Sequence, residues 1–234
     1  MAVTFQSRSI EDVPLLLARR EDAGAPLPLV LWFHGFGVDK ETHRKELAQL
    51  AEAGFLAVGM DAAGHGARRL PDLAERQAAP REQALRTMVE LVRQTADDVP
   101  GVIRGLAAEG AADAGRVGAA GVSMGGYVVY RAAVVEPAIR AAVPILGSPE
   151  WPEGDGPHGE LDALARTALL SVTAQRDENV PPDAARALHR RLAEAHPEAR
   201  QRYVELPGAV HLMCEEDWNA AMDETIGWLR VHLG

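Results

Sequence analysis

Three residues of this 234-residue chain stand where nucleophilic catalysis needs them. Gly121-Val122-Ser123-Met124-Gly125 follows an apolar run at 117–122 and precedes a helical pattern at 125–136. A serine between a strand and a helix sits on a sharp turn with its hydroxyl exposed, and the N–H groups of the new helix favour negative charge developing there. Serine is a weak nucleophile at neutral pH, so it needs a base, and the base needs an orienting acid. On such a scaffold the order along the chain is Ser, Asp or Glu, then His. Of the eight histidines only His211 falls between the last predicted strand and the last predicted helix. Asp177 lies just past the strand predicted at 168–174, with Glu178 beside it as the alternative acid. Ser123, Asp177 and His211 therefore come out at one edge of a sheet, where open α/β sheets bind ligands.

A serine mechanism also needs donors for the oxyanion. His34-Gly35-Phe36-Gly37 follows the apolar run at 29–33, and the backbone N–H groups of Phe36 and Met124 are assigned as the two donors. His34 reads as a structural histidine bonded to nearby backbone. His34, His43 and His65 lack the i, i+4 spacing of helical metal ligands and have no cysteine with them, so no metal is expected. Cys214, the single cysteine, excludes an internal disulfide framework and reads as a small buried residue at a helix start.

The elements that must position these groups alternate. Residues 3–9 and 13–19 suit an opening hairpin, 29–33 and 55–60 are strands, and 40–53 is a helix ending at Gly54. Residues 62 to about 110 break the rhythm with a Gly- and Arg-containing loop. A long helical pattern follows from about Pro80, interrupted at Pro100-Gly101; the segment reads as a small lid or helical insertion. Strands at 117–122, 141–146, 168–174 and 203–206 then alternate with helices at 125–136, 183–196 and 215–233. Pro144 argues against a central position for its strand, since proline cannot donate to a ladder. Residues 147–159, with three prolines and four glycines, form a loop. The pattern predicts one α/β domain over 1–234, with a mostly parallel sheet, an N-terminal antiparallel hairpin and helices on both faces.

Composition is globular, at 47% apolar and 25% charged residues. Twenty-four basic against 34 acidic side chains leave a net charge of −10, which opposes binding to nucleic acid or an anionic membrane. There is no basic segment followed by an apolar core at the start, and apolar runs fall short of the roughly 18 residues of a membrane span. A cytoplasmic location is expected.

The combination of His34-Gly35-Phe36, Gly64-His65-Gly66 after Asp61, Gly121-Val122-Ser123-Met124-Gly125-Gly126, Asp177 and His211 resembles the α/β-hydrolase superfamily. Within it, the short chain and Asp61-Ala62-Ala63-Gly64-His65-Gly66-Ala67-Arg68 resemble bacterial dienelactone-hydrolase-like and prolyl-oligopeptidase-related esterases. The resemblance covers nearly the whole chain. It implies that His65 belongs to a structural loop near the site, outside the triad. Dienelactone hydrolases proper carry cysteine at the elbow, and Ser123 moves the expectation to a serine carboxylesterase for small to medium acyl esters, without cofactor. Thioesterase, acyltransferase and small-peptidase activities share the same machinery, and a non-catalytic ligand-binding protein of this fold is the reading from another class. The expected partner is a small-molecule ester, with a homodimer as the base-rate oligomer. Trp151, Met213 and Leu70 are the expected pocket residues, with Phe36 beside them.

Overall fold

A computed structural model describes residues 2–234. Eight strands form one sheet in the order β1-β2-β4-β3-β5-β6-β7-β8: β1 Val3–Ile10, β2 Val13–Arg20, β3 Leu27–Phe33, β4 Leu56–Met60, β5 Ala112–Val122, β6 Ile139–Ile145, β7 Ala168–Ala174 and β8 Gln201–Leu206. β1 and β2 pair antiparallel, β2 pairs antiparallel with β4, and every pairing from β4 to β8 is parallel. This is the architecture of the α/β-hydrolase fold. The helices are α1 Arg44–Glu52, α2 Leu73–Ala78, α3 Arg81–Ala108, α4 Met124–Val135, α5 Leu161–Ala165, α6 Asp183–Ala195 and α7 Glu215–Leu233.

Strand alternation divides the core in two. Leu29, Leu31 and Phe33 of β3 face α3 and α4, while Val30 and Trp32 face the layer holding α1 and α7. Because both faces are covered, the central strands are apolar at nearly every position, the pattern that buried parallel strands require.

Two local expectations change. α3 runs unbroken through Pro100 where an interruption was expected. Proline removes one helical hydrogen bond and normally costs about 3 kcal/mol. Here Ala96, Val99, Val102, Ile103 and Leu106 pack the surrounding turns into the core and hold the helix straight through. Pro144 lies within β6, opposite Gly121 of β5, but the ladder to β7 pairs Ala141 and Ala142 and then skips to Ile145. The sheet accommodates the missing N–H by opening one side of the ladder. Two short helices, α2 and α5, carry too few residues to show a period in sequence. Among the described residues no helix is long and apolar enough to cross a membrane.

Candidate active site

β5 delivers Ser123 to the carboxyl edge of the sheet, and the turn into α4 is sharp. Ser123 adopts φ +56° and ψ −118°, a conformation that L-residues avoid unless neighbouring structure enforces it. The enforcement is visible in hydrogen bonds. Ser123 N–H donates to Ile145 O at 2.9 Å, and its own carbonyl accepts from Gly126 N–H at 2.8 Å. Glycine is needed in the first turn of α4, because a Cβ on Gly125 would lie 2.1 Å from Phe33 O. The helix therefore starts close against the end of β3.

His211 arrives on the loop between β8 and α7, and its Nε2 lies 3.0 Å from Ser123 Oγ. Its Nδ1 lies 2.7 Å from Asp177 Oδ2. Asp177 follows β7 and its side chain is fully buried. The other oxygen, Oδ1, accepts the Asn179 and Val180 N–H groups at 2.9 and 2.8 Å. With that carboxylate accepting at Nδ1, the proton of a neutral His211 sits on Nδ1, and Nε2 is left as the acceptor facing the serine hydroxyl. Glu178, the alternative acid, is exposed; only its carbonyl is engaged, by Arg81.

The loop after β3 lies beside the serine. A Cβ on Gly35 would be 3.9 Å from that of Ser123. Among the described residues, no backbone carbonyl accepts from Phe36 N–H or Met124 N–H. His34 is buried, with Nδ1 2.8 Å from Gly35 O and Nε2 accepting Ala62 N–H at 3.1 Å. Burial pushes its pKa down to about 4, so the ring is neutral and Nδ1 carries the proton. His65 is fully buried, bonded through Nδ1 to Ala63 O at 2.9 Å, and its ring lies 5.4 Å from that of Phe36. Asp61 ties the same loops together. It accepts from Lys40 N, Lys40 Nζ and Ala67 N at 2.9–3.0 Å. Desolvation alone would raise its pKa, but the Ala67 and Lys40 hydrogen bonds and the Lys40 charge outweigh it and hold the carboxyl below its usual range.

A cleft of about 740 Å³ opens over Ser123 and His211. Phe36, Leu85, Met88 and Val180 give it apolar walls, and among the described residues Arg81 is its one permanently charged lining group. Tyr127 lines it too; burial raises its hydroxyl to about 12, so it stays protonated. Phe36 was expected here, whereas none of the three named pocket residues lines the cleft. Trp151 is turned into the core, with Arg93 stacked on it at 4.6 Å, because the loop after β6 folds back through a His158 N–H to Pro149 O bond. Leu70 packs with Ala63, Leu73 and Leu91 under the loop after β4. Met213 lines an adjoining hollow that shares Thr42, His43 and His211 with the cleft. Cys214 is exposed, correcting the expectation of burial. Leu85 and Met88 fall within the long helical pattern predicted from about Pro80. Nothing in their spacing separates a cleft wall from a core face.

A mostly parallel sheet carrying a serine on a strained strand-to-helix turn, with histidine and aspartate on later loops, defines the α/β-hydrolase class. The chain belongs to the dienelactone hydrolase family, whose model matches residues 14–225. Among curated relatives, YitV of Bacillus subtilis (strain 168), an esterase candidate by name, is 30% identical over 152 residues; the match spans 64% of this chain and 57% of that protein. The esterase YjfP of Escherichia coli (strain K12) is 24% identical over 99% of this chain and 100% of its own length. Among solved structures, a dienelactone hydrolase candidate from Klebsiella pneumoniae superposes with a TM-score of 0.78 at 22% identity, covering 98% of this chain and 99% of that one.

Proposed function

We propose that the protein is a serine carboxylesterase acting on small to medium acyl esters. One observation carries the reading: Ser123 Oγ, His211 Nε2 and the buried Asp177 carboxylate form a continuous hydrogen-bonded line that opens into the cleft. Ser123 attacks the ester carbonyl as His211 takes its proton. Asp177 holds the imidazole in the reactive tautomer and stabilises the cation that forms. The Phe36 and Met124 N–H groups receive the oxyanion. His211 then protonates the departing alcohol, and water activated by the same base releases the acid.

The apolar lining around Leu85, Met88 and Val180 suits an acyl chain, and the cleft volume favours short to medium lengths. Family membership and the esterase relatives support ester hydrolysis as the reaction class. Covalent labelling with a fluorophosphonate, read by intact mass, tests the proposal. One adduct on the wild type and none on Ser123→Ala is the expected result. A folded wild type that takes no adduct refutes it.

A further inference from the structure

Two hollows meet at His211. Ser123, Gly35 and Phe36 line the larger one, the cleft already described. The second, of about 330 Å³, shares Thr42, His43 and His211 with the cleft and is walled besides by Glu46, Leu146, Met213 and Trp218, but by neither Ser123 nor Phe36. A tetrahedral carbon on Ser123 Oγ carries an oxyanion, an acyl chain and an alkoxy oxygen. The oxyanion faces the donors after β3. The alkoxy oxygen must face His211 Nε2, because that nitrogen returns the proton to it. Whatever is attached to that oxygen then extends to the His211 side. We infer that the second hollow is the leaving-group subsite, selecting non-anionic, ring-sized alcohols; the inference rests on the serine-hydrolase reading above.

The walls define the chemistry. Leu146, Met213 and Trp218 present apolar and aromatic surface to a ring. His43 marks the polar end and is held in place, its ring 5.5 Å from Trp32 and 6.4 Å from Trp218. Its Nδ1 lies 3.4 Å from Oε2 of the buried Glu46, whose Oε1 accepts Trp218 Nε1–H at 2.8 Å. Among the described residues no lysine or arginine lines the hollow, and the Glu46 carboxylate is one of its lining groups, so an anionic alcohol is disfavoured. In the step concerned, the Ser123 Oγ–carbonyl bond forms and the carbonyl–alkoxy bond breaks. The serine proton passes through His211 to the alkoxy oxygen, and the neutral alcohol leaves by this hollow.

Benzyl acetate and ethyl acetate test the inference, since they share an acyl group and their alcohols differ little in acidity. The wild type is expected to favour the benzyl ester in kcat/KM by about tenfold or more, as burial of a ring against apolar walls requires. Met213→Trp, which fills the hollow, brings the ratio toward one. Met213→Ala enlarges it and raises the rate on naphthylmethyl acetate relative to benzyl acetate. A wild-type ratio near one, or a ratio that ignores both substitutions, overturns the subsite. Fluorophosphonate labelling of the wild type separates the two failures: an adduct with a unit ratio removes the subsite alone, and no adduct removes the hydrolase reading beneath it.

Discussion

His34 never touches the reacting atoms in the proposed mechanism, yet its removal should cost more rate than stability. Gly35 C=O and Phe36 N–H belong to one trans peptide, so they point in opposite directions. His34 Nδ1–H grips that carbonyl at 2.8 Å and thereby aims the Phe36 N–H away from the imidazole, on the side where Gly35 approaches Ser123. His34→Ala frees the peptide to rotate. Losing an oxyanion donor outright costs about 3–4 kcal/mol, or roughly 10²–10³ in kcat, with KM little changed because the oxyanion exists only beyond the ground state. The same substitution strands the buried Ala62 N–H, which donates to Nε2 at 3.1 Å, at a cost of about 1–3 kcal/mol in folding. The two ring nitrogens can be restored separately. His34→Asn puts an N–H near the Nδ1 position and should recover most of kcat; His34→Gln reaches toward Ala62 and should recover stability but little rate. Steady-state ester hydrolysis at pH 8 together with urea denaturation reads both quantities. Equal rates in the Asn and Gln variants, or a His34→Ala enzyme that loses stability while keeping kcat, would refute the peptide-plane argument.

Asp177→Asn should retain the fold and lower kcat by roughly 10³–10⁴, because the orienting charge goes and the imidazole is no longer held in one tautomer; stopped ester assays on purified variants measure it. Acid should destabilise the protein through His34 and His189, both held down to about 4 by burial. The unfolded chain binds those protons near pH 6.5 and the folded one only near 4, so stability is full above about 6.5 and is lost as pH falls toward 4, by roughly 3 kcal/mol per histidine. Urea midpoints at pH 7 and pH 4.5 check the sign, and a midpoint that rises on acidification contradicts it. Gly66→Ala should cost several kcal/mol, on the order expected for severe overpacking at a strained φ. The residue has φ +54°, and the new Cβ would sit 2.1 Å from Asp61 Cγ; thermal melts of the variant report it.

The elements bearing the proposed triad could be read from residue order because each depends on a strong local pattern. Residues 117–122 are apolar with glycine at the turn, 168–174 are buried at every position, and His211 stands alone between β8 and α7. The missed features depend on contacts distant in sequence. Trp151 could have faced a cleft or the core, and its choice was made by the fold of the 147–159 loop and by Arg93 on α3. Pro100 reads as a breaker locally and is overruled by the packing of the turns around it. Cys214 looks buried by residue type, yet it stands exposed at the start of α7, with Sγ 3.2 Å from Asp217 Oδ2. His43 carried no signal beyond a weak metal reading, because its neighbours Trp32, Glu46 and Trp218 come from three different elements.

The long helix α3 joins two jobs that rarely share one rod. From Met88 to Leu106 it is anchored in the core, while Arg81, Ala84, Leu85 and, at the junction, Met88 wall the cleft at its other end. The proposed reactive groups all sit on strand ends and their loops, none of them on α3. Mutation can therefore reshape the first two turns of the helix while its far end keeps the domain folded and the strand edge keeps the chemistry. On this scaffold the residues that line the cleft can vary apart from those of the proposed triad.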